Sequence, residues 1–357
     1  MGLFDWLGSK INGQAQPRAK IEIADAHNLT GRDIGLKAVA EQHYVRLWIS
    51  DVYLKNDNKW FSSRFPLVYS LIGLDYGGQR TELANVSGKN KFAIKQADLG
   101  KSILQGYALT PLLPFHGGII EMDCGLVSMQ AQNVLQDFAG VVSDIASKVN
   151  VPQVSQVVGI AGSVAAGVQS LLGAGDAQTM LYVHQSFQAD TLKSGYIFLS
   201  DKQQTDIDPS KIWITADGVR QGSQGALQPL DAQNYVVLRI EITQERDDWR
   251  SLPDIAGPLD AATEAKFSGD DAKAKLLLGQ AKLATFKSKD LTRLDVTRVI
   301  KGIDAEFGAP VAAAGPRQRV DAATLLTRAV QRTSVEAALA SPVTEQNLFD
   351  SLVRSGW

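Results

Sequence analysis

The fold is decided first by a run of β-branched and aromatic residues, YVRLWISDVYL at Tyr44–Leu54, which partly alternates with polar residues. Such runs are typical of β-strands when turn residues bound them. The same texture extends outward over residues 19–127 and returns over residues 178–242, for example in NYVVLRIEITQ at Asn234–Gln244. The repeated strands, spaced roughly ten to twenty residues apart, predict an antiparallel β-sandwich-like domain over residues 19–250.

A helical pattern interrupts these strands. Apolar residues recur at helical spacing in NVLQDFAGVVSDIASKV, which ends at Val149, and a second helical stretch rich in Gly and Ala follows Pro152. Because the strands resume afterwards, residues 131–175 are predicted to be a helical hairpin inserted into the β domain.

The chain changes character after Trp249. Two prolines in SLPDIAGP predict a linker over residues 251–258, and Asp254 and Gly257 mark it as a candidate cleavage site. Residues 259–357 have no strand pattern and predict a small all-α domain, with helices in DAKAKLLLGQAKLATFKSK and LTRLDVTRVIKGIDAEFG. The predicted class is therefore α+β.

Residues 1–18 predict a short amphipathic helix with two interpretations. In the first, the helix docks on the body of the protein or on a sister subunit. In the second it is an interfacial membrane anchor, since Phe and Trp suit the headgroup boundary. The anchor residues would be Leu3, Phe4, Trp6 and Leu7.

The composition argues mainly by exclusion. With 36 Lys and Arg against 38 Asp and Glu, the chain lacks the basic surplus of a nucleic-acid binder. One cysteine excludes an internal disulfide, and the four histidines have no metal-ligand spacing. We expect no catalytic residues, no cofactor and no metal. A Cys–His pair of Cys124 and His116 is the one hydrolase hypothesis, which the closeness of the two residues along one segment disfavours.

An unusual feature of the sequence is the uncharged stretch Val149–Gly175, which runs 27 residues without a charge. Its polar Gln and Ser residues and Pro152 disfavour constitutive membrane spanning. One interpretation is packing over the sandwich or at a homo-oligomer interface, and the other is insertion into a bilayer after a trigger. The residues predicted to serve either role are Val157, Ile160, Val164, Val168, Leu171 and Leu172.

Several segments carry a resemblance to a protein family. They are YVRLWISDVYLKNDNKWFSSRFPLVYSLIGLDYGG, LTPLLPFHGGIIEMDCGL, LYVHQSF, GYIFLSD and RIEITQERDDW. Over residues 19–249 the chain resembles uncharacterised bacterial proteins of conflict or antiviral defence loci, found near caspase-like or CHAT proteases. The resemblance implies a non-enzymatic component whose activity is switched by a partner protein. Cleavage of the chain by that partner is one way in which the switch would work.

Two functional hypotheses follow. The leading one is a non-enzymatic bacterial interaction or assembly protein, a protease-regulated component of a defence system. The alternative is a membrane-perturbing, pore-forming effector that its C-terminal helical domain keeps soluble until proteolysis releases it. The absence of a secretory signal and the lone cysteine predict a cytoplasmic location.

Overall fold

The computed structural model of the protein describes residues 19–55, 64–76, 78–87, 103–130 and 177–308. Within these ranges the chain forms three α-helices, α1 (Pro253–Phe267), α2 (Asp271–Lys287) and α3 (Arg293–Gly308). The strands in the same ranges are β1 (Ala19–Glu22), β2 (Asn28–Leu29), β3 (Tyr44–Tyr53), β4 (Arg64–Tyr76), β5 (Gln79–Ser87), β6 (Ile103–Ala108), β7 (Leu113–Pro114), β8 (Ile119–Gln130), β9 (Ala177–Gln188), β10 (Gly195–Ser200), β11 (Ile212–Thr215), β12 (Gly218–Gln221), β13 (Gln228–Pro229) and β14 (Tyr235–Thr243).

These strands form three sheets. The central sheet has the order β1-β10-β14-β3-β6, with β7 also paired to β3. The outer sheet has the order β5-β4-β8-β9, and the small sheet has the order β13-β12-β11-β2. In the described ranges every strand pairing is antiparallel except the two-residue pairing of β2 with β11. The predicted α+β class, with antiparallel sheets and C-terminal helices, is confirmed.

The central sheet is covered on both faces. Ile197 and Leu199 of β10 share one hydrophobic core with residues of the outer sheet, whereas Tyr196 and Phe198 pack with residues of the small sheet. Because successive side chains of a strand point to opposite faces, a strand buried on both faces becomes a continuous apolar run. GYIFLS in β10 is such a run.

The predicted linker is wrong for Pro253 onward, because this segment is the start of α1. Proline is tolerated in the first turn of a helix, where its missing N–H would have no intrahelical partner. Leu252, Ile255 and Leu259 then occupy helical spacing and are buried with Val299 of α3 in a third hydrophobic core. Pro258 lies inside α1, where its missing N–H removes one intrahelical hydrogen bond, and burial of these apolar residues offsets that cost.

The predicted boundary between a β domain and an all-α domain is also not where the structure divides. Residues up to Ile303 belong to one compact unit, so α1, α2 and most of α3 belong with the sheets. A second unit begins at Asp304, and its described part, Asp304–Gly308, is the end of α3. Helices are confirmed at both sequences named for them, DAKAKLLLGQAKLATFK and RLDVTRVIKGIDAEFG. None of the described helices is long and apolar enough to cross a membrane.

Candidate functional site

A buried arginine lies where the helices meet the sheets. Arg246, between β14 and α1, has no exposed surface. Its Nε donates to Asp248 Oδ1 at 2.8 Å, and its Nη1 donates to the carbonyl oxygens of Asp290 at 3.1 Å and Leu112 at 3.4 Å. Arg298 of α3 donates from Nη2 to the carbonyl oxygen of Arg246 at 2.8 Å. A buried guanidinium needs hydrogen-bond acceptors, and here Asp248, Asp290 and Leu112 supply them from three separate segments.

Two tyrosine hydroxyls complete this junction. Tyr44 of β3 donates to Asp295 Oδ2 at 2.8 Å, and Tyr76 of β4 donates to Asp290 Oδ1 at 3.0 Å. Burial and the nearby carboxylates raise the pKa of each of these two phenols well above the ordinary value for tyrosine. The groups of the junction hydrogen-bond to one another, so we assign them the structural role of holding the helices against the sheets.

A second polar cluster lies on the face of the outer sheet that points away from the central sheet. Asp123 of β8 is 1% exposed, and its Oδ1 accepts a hydrogen bond from the Tyr182 hydroxyl at 2.6 Å. The same oxygen lies 2.9 Å from Nδ1 of His184, whose side chain is half-exposed. Burial raises the pKa of Asp123, and the hydrogen bonds from Tyr182 and His184 oppose that rise.

An Asp–His pair can orient a general base, but a hydrolase also needs a nucleophile in reach of the imidazole. Among the described residues, no Ser, Thr or Cys side chain is hydrogen-bonded to His184. Cys124 follows Asp123 in β8 and therefore points to the opposite face, into the core between the two sheets. Burial raises the pKa of the Cys124 thiol to about 12, so it stays protonated near neutral pH.

His116 has no hydrogen bond to Cys124 among the described residues. Its Nδ1 lies 2.9 Å from Glu41 Oε1, in the loop between β7 and β8. The structure therefore does not assemble the hydrolase pair considered from the sequence.

The polar cleft beside β1 and β10 has a volume of about 380 Å³. Its charged lining includes Glu22 and Lys193, which form an ion pair at 3.6 Å, together with Asp25, Lys37 and Asp190. In the part of the chain that the structure describes, no three His, Cys, Asp or Glu side chains are grouped to hold a metal ion. The cleft offers mixed charge without a ligand set that would define an occupant.

The most unusual surface lies on α2. Leu276, Leu283 and Phe286 are 64%, 52% and 72% exposed, although each is a large apolar side chain. With Ala272 and Gly279, which are also exposed, they follow one another at steps of four and three residues along one side of the helix. We call these five residues the α2 stripe.

The opposite side of α2 is apolar as well, and it is buried. Ala274, Ala281 and Thr285 are at most 2% exposed, and Ala281 packs with Leu259 of α1 and Val299 of α3. A helix that is apolar on two opposite sides is normally covered on both. The described residues cover only one side of α2.

The predicted site residues fall in two groups. Asp254 and Gly257 are exposed, but they lie within α1, and backbone held in a helix is a poor protease site because a protease binds an extended, accessible segment. The membrane or anchor residues lie outside the described residues, and they are Leu3, Phe4, Trp6, Leu7, Val157, Ile160, Val164, Val168, Leu171 and Leu172.

No family model, curated protein or solved structure matches the chain. The resemblance to defence-locus proteins therefore stays a prediction, as does a protease partner.

The α2 stripe was missed in the sequence, although its signal was present. DAKAKLLLGQAKLATFK shows apolar or small residues at alternating steps of four and three, but the sequence does not say which side of the helix is buried. The buried Arg246 lay in the charged run ERDDW, whose composition is typical of an exposed turn.

Proposed function

We propose that this protein is a non-enzymatic interaction protein that docks a partner on the α2 stripe. The single observation that carries the proposal is the exposure of Leu276, Leu283 and Phe286 on a helix whose other side is buried. Contiguous exposed apolar residues with a polar border are typical of protein-interaction sites. In this proposal the protein acts in the cytoplasm, and its partners are other proteins.

The rigid attachment of α2 supports this role. Ala281 of α2 packs with Leu259 of α1 and Val299 of α3. Arg246 donates to the carbonyl oxygen of Asp290, in the segment between α2 and α3, and so ties that segment to the sheets. A binding surface held in place before the partner arrives loses less conformational entropy on binding.

The membrane-perturbing alternative stays a prediction. It rests on residues 1–18 and 149–175, which lie outside the described residues. Its release step would also require cleavage within α1, where the backbone would first have to unfold locally. Self-assembly through the inserted hairpin likewise stays a prediction.

The test compares the wild-type chain with L276Q/F286Q, which removes apolar surface without touching a buried residue. We expect a co-purifying protein, once isolated, to bind the wild type and to lose at least tenfold in affinity for the variant. L29Q/L36Q is the matched control, because Leu29 and Leu36 are exposed apolar residues elsewhere, at 40% and 44%.

The control variant should bind as the wild type does. Equal binding by the wild type and L276Q/F286Q, or the absence of any stoichiometric partner of the full chain, would contradict the proposal.

A further inference from the structure

The charges beside the α2 stripe are all of one sign. The positions that flank the stripe on its two sides carry lysine four times and glutamine once. These flanking residues are Lys273, Lys275, Gln280, Lys282 and Lys287. Asp271, the one acidic residue of α2, is outside the flanks.

Steps of four and three define the seam along which two α-helices pair, and the flanking positions decide which partner is accepted. Pairing of α2 with a second copy in parallel would bring Lys282 against Lys287 of the other copy. Antiparallel pairing would also set lysine against lysine, because each flank would meet its own counterpart. Like charges that face each other across an interface oppose association.

We propose that the occupant of the α2 stripe is an amphipathic helix of another protein with Asp or Glu beside its apolar seam. This inference rests on the proposed function and deepens it by naming the chemistry of the partner. Acidic flanks would face Lys273, Lys275 and Lys287, each of which is exposed. The apolar seam supplies contact, and the charges select the partner.

Gly279 supports the pairing of two helices. It lies in the middle of the stripe, and a Cβ added there would have no atom within 4 Å. Glycine inside a helix is unfavourable relative to alanine, and at this position internal packing does not require it. Between Leu276 and Leu283 it leaves a notch in which a side chain of a partner helix can seat.

An anionic membrane is the other occupant that an apolar and basic helix suits. The observations favour a helix over a membrane for two reasons. The stripe is one seam wide, narrower than the broad apolar face of an interfacial helix, and two of its five residues, Ala272 and Gly279, are small. Small residues bury little area in lipid but permit close helix approach.

The experiment uses the full chain and two synthetic helical peptides of four heptads. Both peptides carry leucine at the seam positions, and they differ only in having glutamate or lysine at every flanking position. We expect the glutamate peptide to bind at least tenfold more tightly than the lysine peptide, and to bind more weakly as salt rises from 50 to 300 mM. Fluorescence anisotropy of labelled peptides measures both affinities.

Two variants of the chain distinguish the contribution of the apolar stripe to peptide binding from the contribution of the flanking lysines. L276Q/F286Q should abolish binding of the glutamate peptide, and K273E/K275E/K287E should reverse the preference between the peptides. The control K55E/K202E/K301E changes the net charge equally at exposed lysines away from the stripe and should keep the wild-type preference.

Gly279 gives a third comparison. G279A adds a Cβ at an exposed helix glycine that has open space around it. It should raise the thermal midpoint by about 1–3 °C and still weaken binding of the glutamate peptide, by about two- to fivefold, because it narrows the notch.

Equal affinity for the two peptides, or glutamate-peptide binding that survives L276Q/F286Q, would overturn the inference. So would tighter binding to phosphatidylglycerol vesicles than to the glutamate peptide, or a dimer of the chain that L276Q/F286Q dissociates. If neither peptide binds while an isolated partner still distinguishes the wild type from L276Q/F286Q, the acidic helix is excluded and the proposed function stands.

Discussion

The hydroxyl of Tyr44 in β3 donates a 2.8 Å hydrogen bond to Oδ2 of Asp295 in the first turn of α3, 251 residues later in the chain. The backbone N–H of Thr292 donates to the same hydroxyl at 3.1 Å, and the backbone N–H of Arg246 donates to the same carboxylate oxygen at 3.0 Å. One phenol therefore connects the central sheet to the start of α3 in a region from which water is excluded.

Tyr44→Phe should lower the free energy of unfolding by about 1–3 kcal/mol, because it leaves the buried N–H of Thr292 without its acceptor. Tyr53→Phe is the matched control: Tyr53 ends the same strand, and its hydroxyl has no hydrogen bond to a described residue. Urea unfolding measures both variants, and the control should change by less than about 0.5 kcal/mol. Equal losses would mean that the Tyr44 hydroxyl has no special role.

Arg246→Met should lower the free energy of unfolding by about 3–5 kcal/mol, since it removes the common partner of Asp248 and of the Asp290 and Leu112 carbonyls. It should also expose α1 to an Asp-directed protease at Asp254, which the wild type resists. Mass spectrometry of the fragments gives the cut position.

Arg250→Met, which changes an exposed arginine of the same segment, is the control and should stay resistant. Rapid cutting of the folded wild type at Asp254 would support the linker that the prolines first predicted, and would speak against a helix there.

Gly125→Ala should destabilise the outer sheet by about 1–3 kcal/mol through overpacking. The ring of Tyr69 lies across Gly125, and a Cβ on residue 125 would be 2.4 Å from Tyr69 Cε1. Gly195→Ala is the matched control in a strand, because its added Cβ would meet no atom within 4 Å. Thermal unfolding compares the two, and Tyr69→Leu should recover much of the loss. Unchanged stability of G125A would show that this contact relaxes freely.

Alkaline pH should destabilise the protein through its buried tyrosines. Burial raises the pKa of Tyr69 above its ordinary 10.0, and its hydroxyl has no hydrogen-bond partner among the described residues. Above pH 10 the unfolded chain loses this proton while the folded chain keeps it, so stability falls as pH rises, by about 1.4 kcal/mol per pH unit for each such group. Below pH 10 this tyrosine contributes no slope.

Tyr69→Phe removes the titration without removing a hydrogen bond. The variant should equal or exceed the wild type at pH 7, and its stability should fall less steeply between pH 10 and 11. Urea midpoints at pH 8, 10 and 11 measure both chains, and parallel curves would show that Tyr69 titrates normally.

The sequence by itself indicated the longer strands, such as β3 and β14, the α+β class and helices α2 and α3. These follow from local patterns: β-branched and aromatic runs such as Tyr44–Leu54, turn residues, and helical spacing after Trp249. They are local because the side-chain periods of strand and helix are set by backbone geometry within a few residues.

Only the tertiary structure decided which surfaces are covered. Prolines 253 and 258 predicted a linker, but burial of Leu252 and Ile255 against α3 made the segment a helix. Arg246 lay in a charged run that predicted exposure, and its burial depends on carbonyls more than 40 residues away in either direction along the chain. The same holds for α2, whose two apolar sides are alike in sequence. Packing against α1 and α3 buries one side of α2 and leaves the other side, the stripe with Leu276 and Phe286, exposed. Contacts between residues far apart in the chain decide which apolar side is removed from water, and no local sequence pattern encodes those contacts.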